Sequence, residues 1–247
     1  MTALLSVTGL VKRFGGLMAT DHFELEMAQG ELHALIGPNG AGKTTLMGQL
    51  TGELKPDAGD IRFAGQSILG WSVPRRALGG IARSYQITQL LKGFTVLENV
   101  LLMVQARRGH SFHMWQPVLR ETALVRPAMD ALERVGLAQR AHDDVSELAH
   151  GEHRQLELAM ALAMGPRLLL LDEPLAGMSQ TESAIMIDLL QRLKRQYTIL
   201  LVEHDMQAVF SLADRISVLV YGRAIACGEP SQIQDDPAVK LAYLGDE

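Results

Sequence analysis

Residues 37–45 constrain this chain more than any other stretch. They read Gly37, Pro38, Asn39, Gly40, Ala41, Gly42, Lys43, Thr44 and Thr45, and they fit the pattern G-x-x-x-x-G-K-[ST]. What flanks the pattern decides how it is read. Residues 31–36 form a short apolar run that stops at Gly37, which predicts a buried strand. Residues 43–50 then read as a helix, with Gly52 as its stop. Strand, glycine-rich turn and helix, in that order, predict a loop that cradles phosphate. Glycines let the backbone curl so that successive N–H groups point inward. The helix start contributes its positive dipole end. Lys43 adds a point charge for β and γ phosphates, and the Thr44 hydroxyl suits Mg2+.

Two further signals lie downstream. Leu168, Leu169, Leu170 and Leu171 run into Asp172 and Glu173. An apolar strand ending in two acids places carboxylates at the C-terminal edge of an open α/β sheet, where ligands sit. There Asp172 would hold Mg2+ through water and Glu173 would polarise an attacking water. Two acids after a strand also suit an ordinary helix start, and the phosphate loop weighs toward the chemical reading. His204 follows a second apolar run, residues 198–202. A histidine there would hydrogen-bond a γ-phosphate, although a lone histidine is often structural. No Asn-Lys-x-Asp occurs, which disfavours a guanine-specific pocket.

Continuous rather than alternating apolarity in these runs suggests strands covered on both faces. Interleaved with helical patterns, they predict an α/β fold with a mainly parallel sheet. The first 30 residues and residues 60–63 alternate more and predict an antiparallel β portion. Residues 87–150 are poor in β-branched runs. With helix-like spacing at 96–103 and 123–135, they predict a mostly helical insertion. The expectation is one domain over 1–247, with 1–86 and 151–247 as the nucleotide-binding core and 87–150 as a helical subdomain. Residues 107–117 read as an irregular surface loop. His110 and His113 there form a metal pair only if a third ligand exists, and none is in evidence.

At 47% hydrophobic residues the chain is too apolar for disorder. Its 23 Lys+Arg against 28 Asp+Glu give a net charge of −5, which argues against a nucleic-acid partner. No apolar run nears the roughly 18 residues of a membrane span, and no secretory signal is visible at the start. One cysteine, Cys227, excludes an internal disulfide and a cysteine metal cluster. A soluble, intracellular chain is expected.

Phosphate loop, Gln86, residues 148–152, Asp172 with Glu173, and His204 follow one another in an order that resembles the ATP-binding subunit of an ABC transporter, over nearly the whole length. The resemblance implies a P-loop NTPase core with an antiparallel β portion and a helical insertion. It implies that Gln86, in Arg83-Ser-Tyr-Gln86, contacts Mg2+ or the attacking water and opens the helical subdomain that faces the membrane partner. Phe14 falls where the family stacks an aromatic ring on adenine. Leu148, Ala149, His150, Gly151 and Glu152 stand where the family has Leu-Ser-Gly-Gly-Gln, a segment that caps the γ-phosphate bound to the opposite subunit. Ala149 removes a hydroxyl donor, while the Gly151 N–H and the helix starting near Glu152 still face a phosphate. Ser179 stands where the family has aspartate.

Within the family the chain looks most like the ATPases of branched-chain amino-acid importers and their amide or urea relatives. Arg13-Phe-Gly-Gly16, Asp172-Glu-Pro-Leu-Ala-Gly177, the tail from Val239 to Gly245 and the insertion after Gln105 carry this likeness. Lipopolysaccharide-export ATPases have a similar tail. The resemblance implies ATP and Mg2+ as cofactors. It also implies a second ABC ATPase subunit, like or unlike this one, two transmembrane permeases and, indirectly, a solute-binding protein. The expected location is peripheral, on the cytoplasmic face of the inner membrane. A ribosome- or DNA-acting ABC ATPase would carry two ATPase units, a long coiled coil or basic patches, and a small-molecule kinase would not carry this motif order.

Overall fold

The structure, a computed structural model, describes residues 3–84, 90–109 and 121–244. The chain opens with a long antiparallel hairpin, β1 (Leu5–Phe14) and β2 (Leu17–Met27). Then come β3 (Leu32–Ile36), helix α1 (Lys43–Thr51), β4 (Ala58–Phe63), β5 (Gln66–Ser67), α2 (Val73–Leu78) and β6 (Ile81–Ser84). Helices α3 (Val96–Arg108), α4 (Thr122–Val135) and α5 (His150–Ala163) follow. The remainder alternates as β7 (Leu168–Asp172), α6 (Gln180–Leu193), β8 (Thr198–Val202), α7 (Met206–Leu212) and β9 (Arg215–Val220). β10 (Arg223–Gly228), α8 (Pro230–Asp235) and α9 (Pro237–Leu244) complete it.

Among the described residues the strands form two sheets. The first is antiparallel, in the order β2-β1-β4-β5. The second runs β10-β9-β3-β8-β7-β6 and is parallel except for β10 at its edge. Both expectations, the parallel sheet and the antiparallel portion, hold. Every residue of β3, β7 and β8 is buried, and the period of two sends neighbours to opposite cores. Leu35, Leu168, Leu170, Leu200 and Val202 pack with α1 and with Leu5, Phe23 and Phe63 of the antiparallel sheet. Ala34, Leu169, Leu171, Ile199 and Leu201 face the second core, which takes in the helices from α3 to α7. That two-sided burial is why these strands carry no polar alternation.

The middle of the chain is helical, as its spacing suggests. Thr95 and Glu98 close a capping box at the start of α3: the Glu98 N–H donates to Thr95 Oγ1 and the Thr95 N–H to Glu98 Oε2. Val96, Val100, Leu101 and Val104 form its buried stripe. The helix continues past residue 103 through Gln105, Arg107 and Arg108, which are good helix formers. Gly109, at φ 69°, ends it. α5 packs against both α3 and α4, so the helical layer continues beyond residue 150. His110, His113 and Trp115 lie outside the described residues.

One buried cation fixes the far end of α1. Arg76 is 2% exposed, and its guanidinium donates to the carbonyls of Gln49 (2.7 Å), Leu50 (2.8 Å) and Ile68 (2.9 Å). Carbonyls at a helix C-terminus have no intrahelical partner, and each one orphaned by burial costs about 1–3 kcal/mol. Burial pulls the Arg76 pKa below its ordinary value. Arg76 thus ties α1 to α2 and keeps the other end of α1 under the phosphate loop.

Candidate active site

β3 delivers the chain to Gly37 at the C-terminal edge of the parallel sheet, and α1 starts at Lys43. The turn between them needs glycine at two places for lack of space. A Cβ on Gly37 would sit 2.1 Å from the Leu219 carbonyl oxygen, and one on Gly42 would sit 2.1 Å from that of Ala19. Both glycines also have positive φ, 156° and 109°. No side chain caps α1 at Gly42, so the helix start is left to a ligand. Lys43 is 7% exposed and folds back over the turn, donating from Nζ to the carbonyls of Gly37 (2.6 Å) and Pro38 (3.0 Å). Burial lowers its pKa, while the charges of Glu173 and Asp172 raise it. The ammonium therefore lies within electrostatic reach of both acids.

β7 and β8 are neighbours in the sheet, and their C-terminal ends bring the acids to the histidine. Asp172 ends β7 at 5% exposure, and its Oδ2 accepts from Arg83 Nη2 at 2.7 Å. Glu173 follows with φ 50°, a left-handed conformation that costs a non-glycine residue about 1–3 kcal/mol. Its N–H donates to the Val202 carbonyl at 2.8 Å, which holds that conformation against β8. Its Oε1 accepts from His204 Nε2 at 2.8 Å. A cavity of about 450 Å³ opens beside the pair, with Gln180 and Gln207 also in its wall. A carboxylate aimed into such a space, backed by an imidazole, can take a proton from water.

Sequence reasoning missed Glu203. It is 4% exposed, accepts from the Leu175 N–H at 2.8 Å through Oε1 and from the His204 N–H at 2.8 Å through Oε2. It thereby knots the segments after β7 and β8 together and aims His204 at Glu173. The only signal for it is its place between a buried strand and the histidine.

Residues 148–152 lie elsewhere. Leu148 is buried, and Ala149 and His150 are exposed at the start of α5. The Ala149 N–H donates to Glu152 Oε2 at 2.8 Å, and the Gly151 N–H donates to Glu182 Oε1 of α6 at 2.8 Å. The segment thus turns toward α6 and presents its polar edge outward. Phe14 is 48% exposed at the end of β1, with Lys12 Nζ 5.6 Å from its ring centre. On the paired strand, Ala19 presses on Gly42. Gln86 lies outside the described residues.

Asp172 and Thr44 supply hard oxygen donors. Among the described residues no group of three or more His, Cys, Asp or Glu stands ready to hold a metal ion alone. That set fits Mg2+, which takes one or two carboxylates plus phosphate oxygens and water, better than a caged metal.

Residues 20–176 match the ABC transporter family, with the phosphate loop and both acids inside the match. The chain belongs to the ABC transporter family. It is one of its ATP-binding cassettes, and the reaction of these cassettes is ATP hydrolysis. Residues 225–247 also match a branched-chain amino acid ATP-binding cassette transporter family. The cassette is 39% identical over 252 residues to the high-affinity branched-chain amino acid transport ATP-binding protein LivG of Escherichia coli (strain K12), with 98% of each chain covered. It is 38% identical to the corresponding protein BraF of Pseudomonas aeruginosa, again over 98% of each. A crystal structure of a nucleotide-free ATP-binding cassette from an ABC transporter superposes with a TM-score of 0.87 at 30% identity, covering 99% of this chain and 100% of that one.

Replacing Lys43 by Ala removes the one cation buried in the loop. Nucleotide binding, followed with a fluorescent ATP analogue, should fall by more than 10-fold, since a charged hydrogen bond is worth about 1.5–3 kcal/mol. Unchanged binding would show that the nucleotide does not sit on this loop.

Proposed function

We propose that this cassette powers an importer of branched-chain amino acids or a related small solute. In this reading it sits at the cytoplasmic face of the inner membrane. It works with a second ABC ATPase, like or unlike itself, two permeases and, indirectly, a solute-binding protein. One observation carries the catalytic part: Glu173 Oε1 and His204 Nε2, 2.8 Å apart, stand at the sheet edge that also carries the phosphate loop. The full-length likeness to LivG and BraF supports the solute class.

In this reading the N–H groups at the start of α1 and Lys43 hold the ATP phosphates, with Gly37, Pro38, Asn39, Gly40, Ala41, Gly42, Thr44 and Thr45 shaping the cradle. Thr44, Asp172 and Gln86 would hold Mg2+, which supplies charge neutralisation at the transferring phosphoryl group. Glu173 accepts the proton of the attacking water, His204 orients Glu173 and meets the γ-phosphate, and Phe14 stacks on adenine. Leu148, Ala149, His150, Gly151 and Glu152 close over the nucleotide of the opposing cassette. The exposure of Ala149 and His150 on the separate chain favours this role over one in their own site.

The permease side is supported by an apolar groove of about 350 Å³ between the core and the helical layer. Leu78, Ile81, Met103, Met160 and Met164 line it, and Arg83 is also in its wall. Arg83 also bonds Asp172, so the groove and the nucleotide site share a residue. A short amphipathic helix of a permease fits such a groove, because thioether side chains adapt to the partner's shape. Among the described residues no helix is long and apolar enough to cross a membrane, and the membrane-spanning work falls to the permeases.

Glu173→Gln should keep ATP binding and slow single-turnover hydrolysis by about 10²-fold or more, as loss of a general base does. Near-normal turnover would move the base elsewhere, His204 first. Leu78 is 58% exposed, so Leu78→Asp should cost little stability. It should leave the ATPase rate of the isolated chain intact and abolish solute uptake by the reconstituted transporter. Normal uptake would remove the groove from the permease contact.

A further inference from the structure

Glu182 is the third residue of α6, and both of its carboxylate oxygens are engaged. Oε2 accepts from the Ser179 N–H at 2.9 Å and the Ser179 hydroxyl at 2.7 Å, forming the cap that starts α6. Oε1 reaches across to α5 and accepts from the Gly151 N–H at 2.8 Å. A Cβ on Gly151 would lie 2.8 Å from that oxygen, so the approach depends on glycine. The hydrogen bonds from Ser179, then that from Gly151, with the nearby charge of His150, hold the Glu182 pKa at about 2. The carboxyl is therefore ionised throughout the neutral range. In the separate chain the start of α5 already carries an anion, supplied from within.

We propose that Glu182 gates the assembled nucleotide site: its carboxylate occupies the Gly151 N–H in the separate chain and withdraws when the γ-phosphate of the opposing cassette seats there. This rests on the pairing proposed above. A carboxylate and a phosphate cannot share one N–H, and like charges in a closing, partly dry interface repel more strongly than in water. Ala149 sharpens the competition. With no hydroxyl at that position, backbone N–H groups carry the phosphate contact, and Glu182 holds one of them. The two-sided bonding of Glu182 makes release feasible. Oε1 can leave Gly151 while Oε2 keeps the Ser179 cap, so α6 need not unwind. Ser179 lies six residues of chain after the proposed base Glu173, and the gating Glu182 nine.

The test uses the full chain carrying Glu173→Gln, which holds ATP without turning it over, and compares it with the Glu173→Gln, Glu182→Gln double variant. Glutamine also closes a capping box at this helix position, so α6 keeps its start while the charge is lost. ATP is titrated and dimer is followed by light scattering. The double variant should dimerise at an ATP concentration roughly 3-fold or more lower, the scale of removing one repulsive contact between partly exposed charges. The difference should shrink as salt is raised. ATP affinity of the unpaired chain, read with a fluorescent analogue, should not change. A parent that dimerises beside a double variant with an equal or higher midpoint overturns the gate and leaves Glu182 a brace between α5 and α6. If neither chain dimerises at any ATP concentration, the pairing fails and the gate falls with it.

Discussion

A side chain on Gly37 would meet the Leu219 carbonyl at 2.1 Å, and one on Gly42 would meet the Ala19 carbonyl at the same distance. Leu219 belongs to β9 of the parallel sheet and Ala19 to β2 of the antiparallel one. The phosphate loop is wedged between the two sheets, and its curl depends on both. The Gly222 N–H adds a third tie, donating to the Ala41 carbonyl at 2.8 Å from the turn between β9 and β10. A loop backbone held this way needs little reorganisation to receive a phosphate, which is the condition for electrostatic stabilisation by its N–H groups to act at full strength.

The same arrangement brings the candidate catalytic groups together. β3 is followed in the sheet by β8 and then β7, so the ends that carry His204 and Glu173 lie on the loop's side of the sheet. Glu173 sits in a conformation that resists a side chain, fixed by its N–H bond to Val202 and its carboxylate bond to His204. Glu203, fully committed to backbone N–H groups of both segments, makes that geometry rigid. Strain concentrated at one residue and satisfied bonds around it mark a site built for position rather than for stability.

Much of this is legible in the chain itself. The glycine pattern specifies the loop because sterics leave few alternatives, and four consecutive leucines before Asp172 specify a strand buried on both faces because no one-sided strand tolerates them. Contacts across the fold are not legible. Nothing local says that Glu182 reaches Gly151, 31 residues away, or that Arg83 reaches Asp172, 89 residues away. β6 escaped notice because Ile81–Ser84 is four residues long and ends in polar groups. Glu203 is a buried acceptor, a role set by tertiary packing alone. The reach of α5 into the helical layer was also hidden, since its buried face serves α3, α4 and the sheet together.

The most direct measurement is a crystal structure of the chain with Mg2+ and a non-hydrolysable ATP analogue. The account predicts that Lys43 Nζ leaves the carbonyls of Gly37 and Pro38 for the β and γ phosphates, which lie against the start of α1 with the γ-phosphate next to Glu173 and His204. Nucleotide bound elsewhere, or a Lys43 still on its carbonyls at saturating nucleotide, would contradict it.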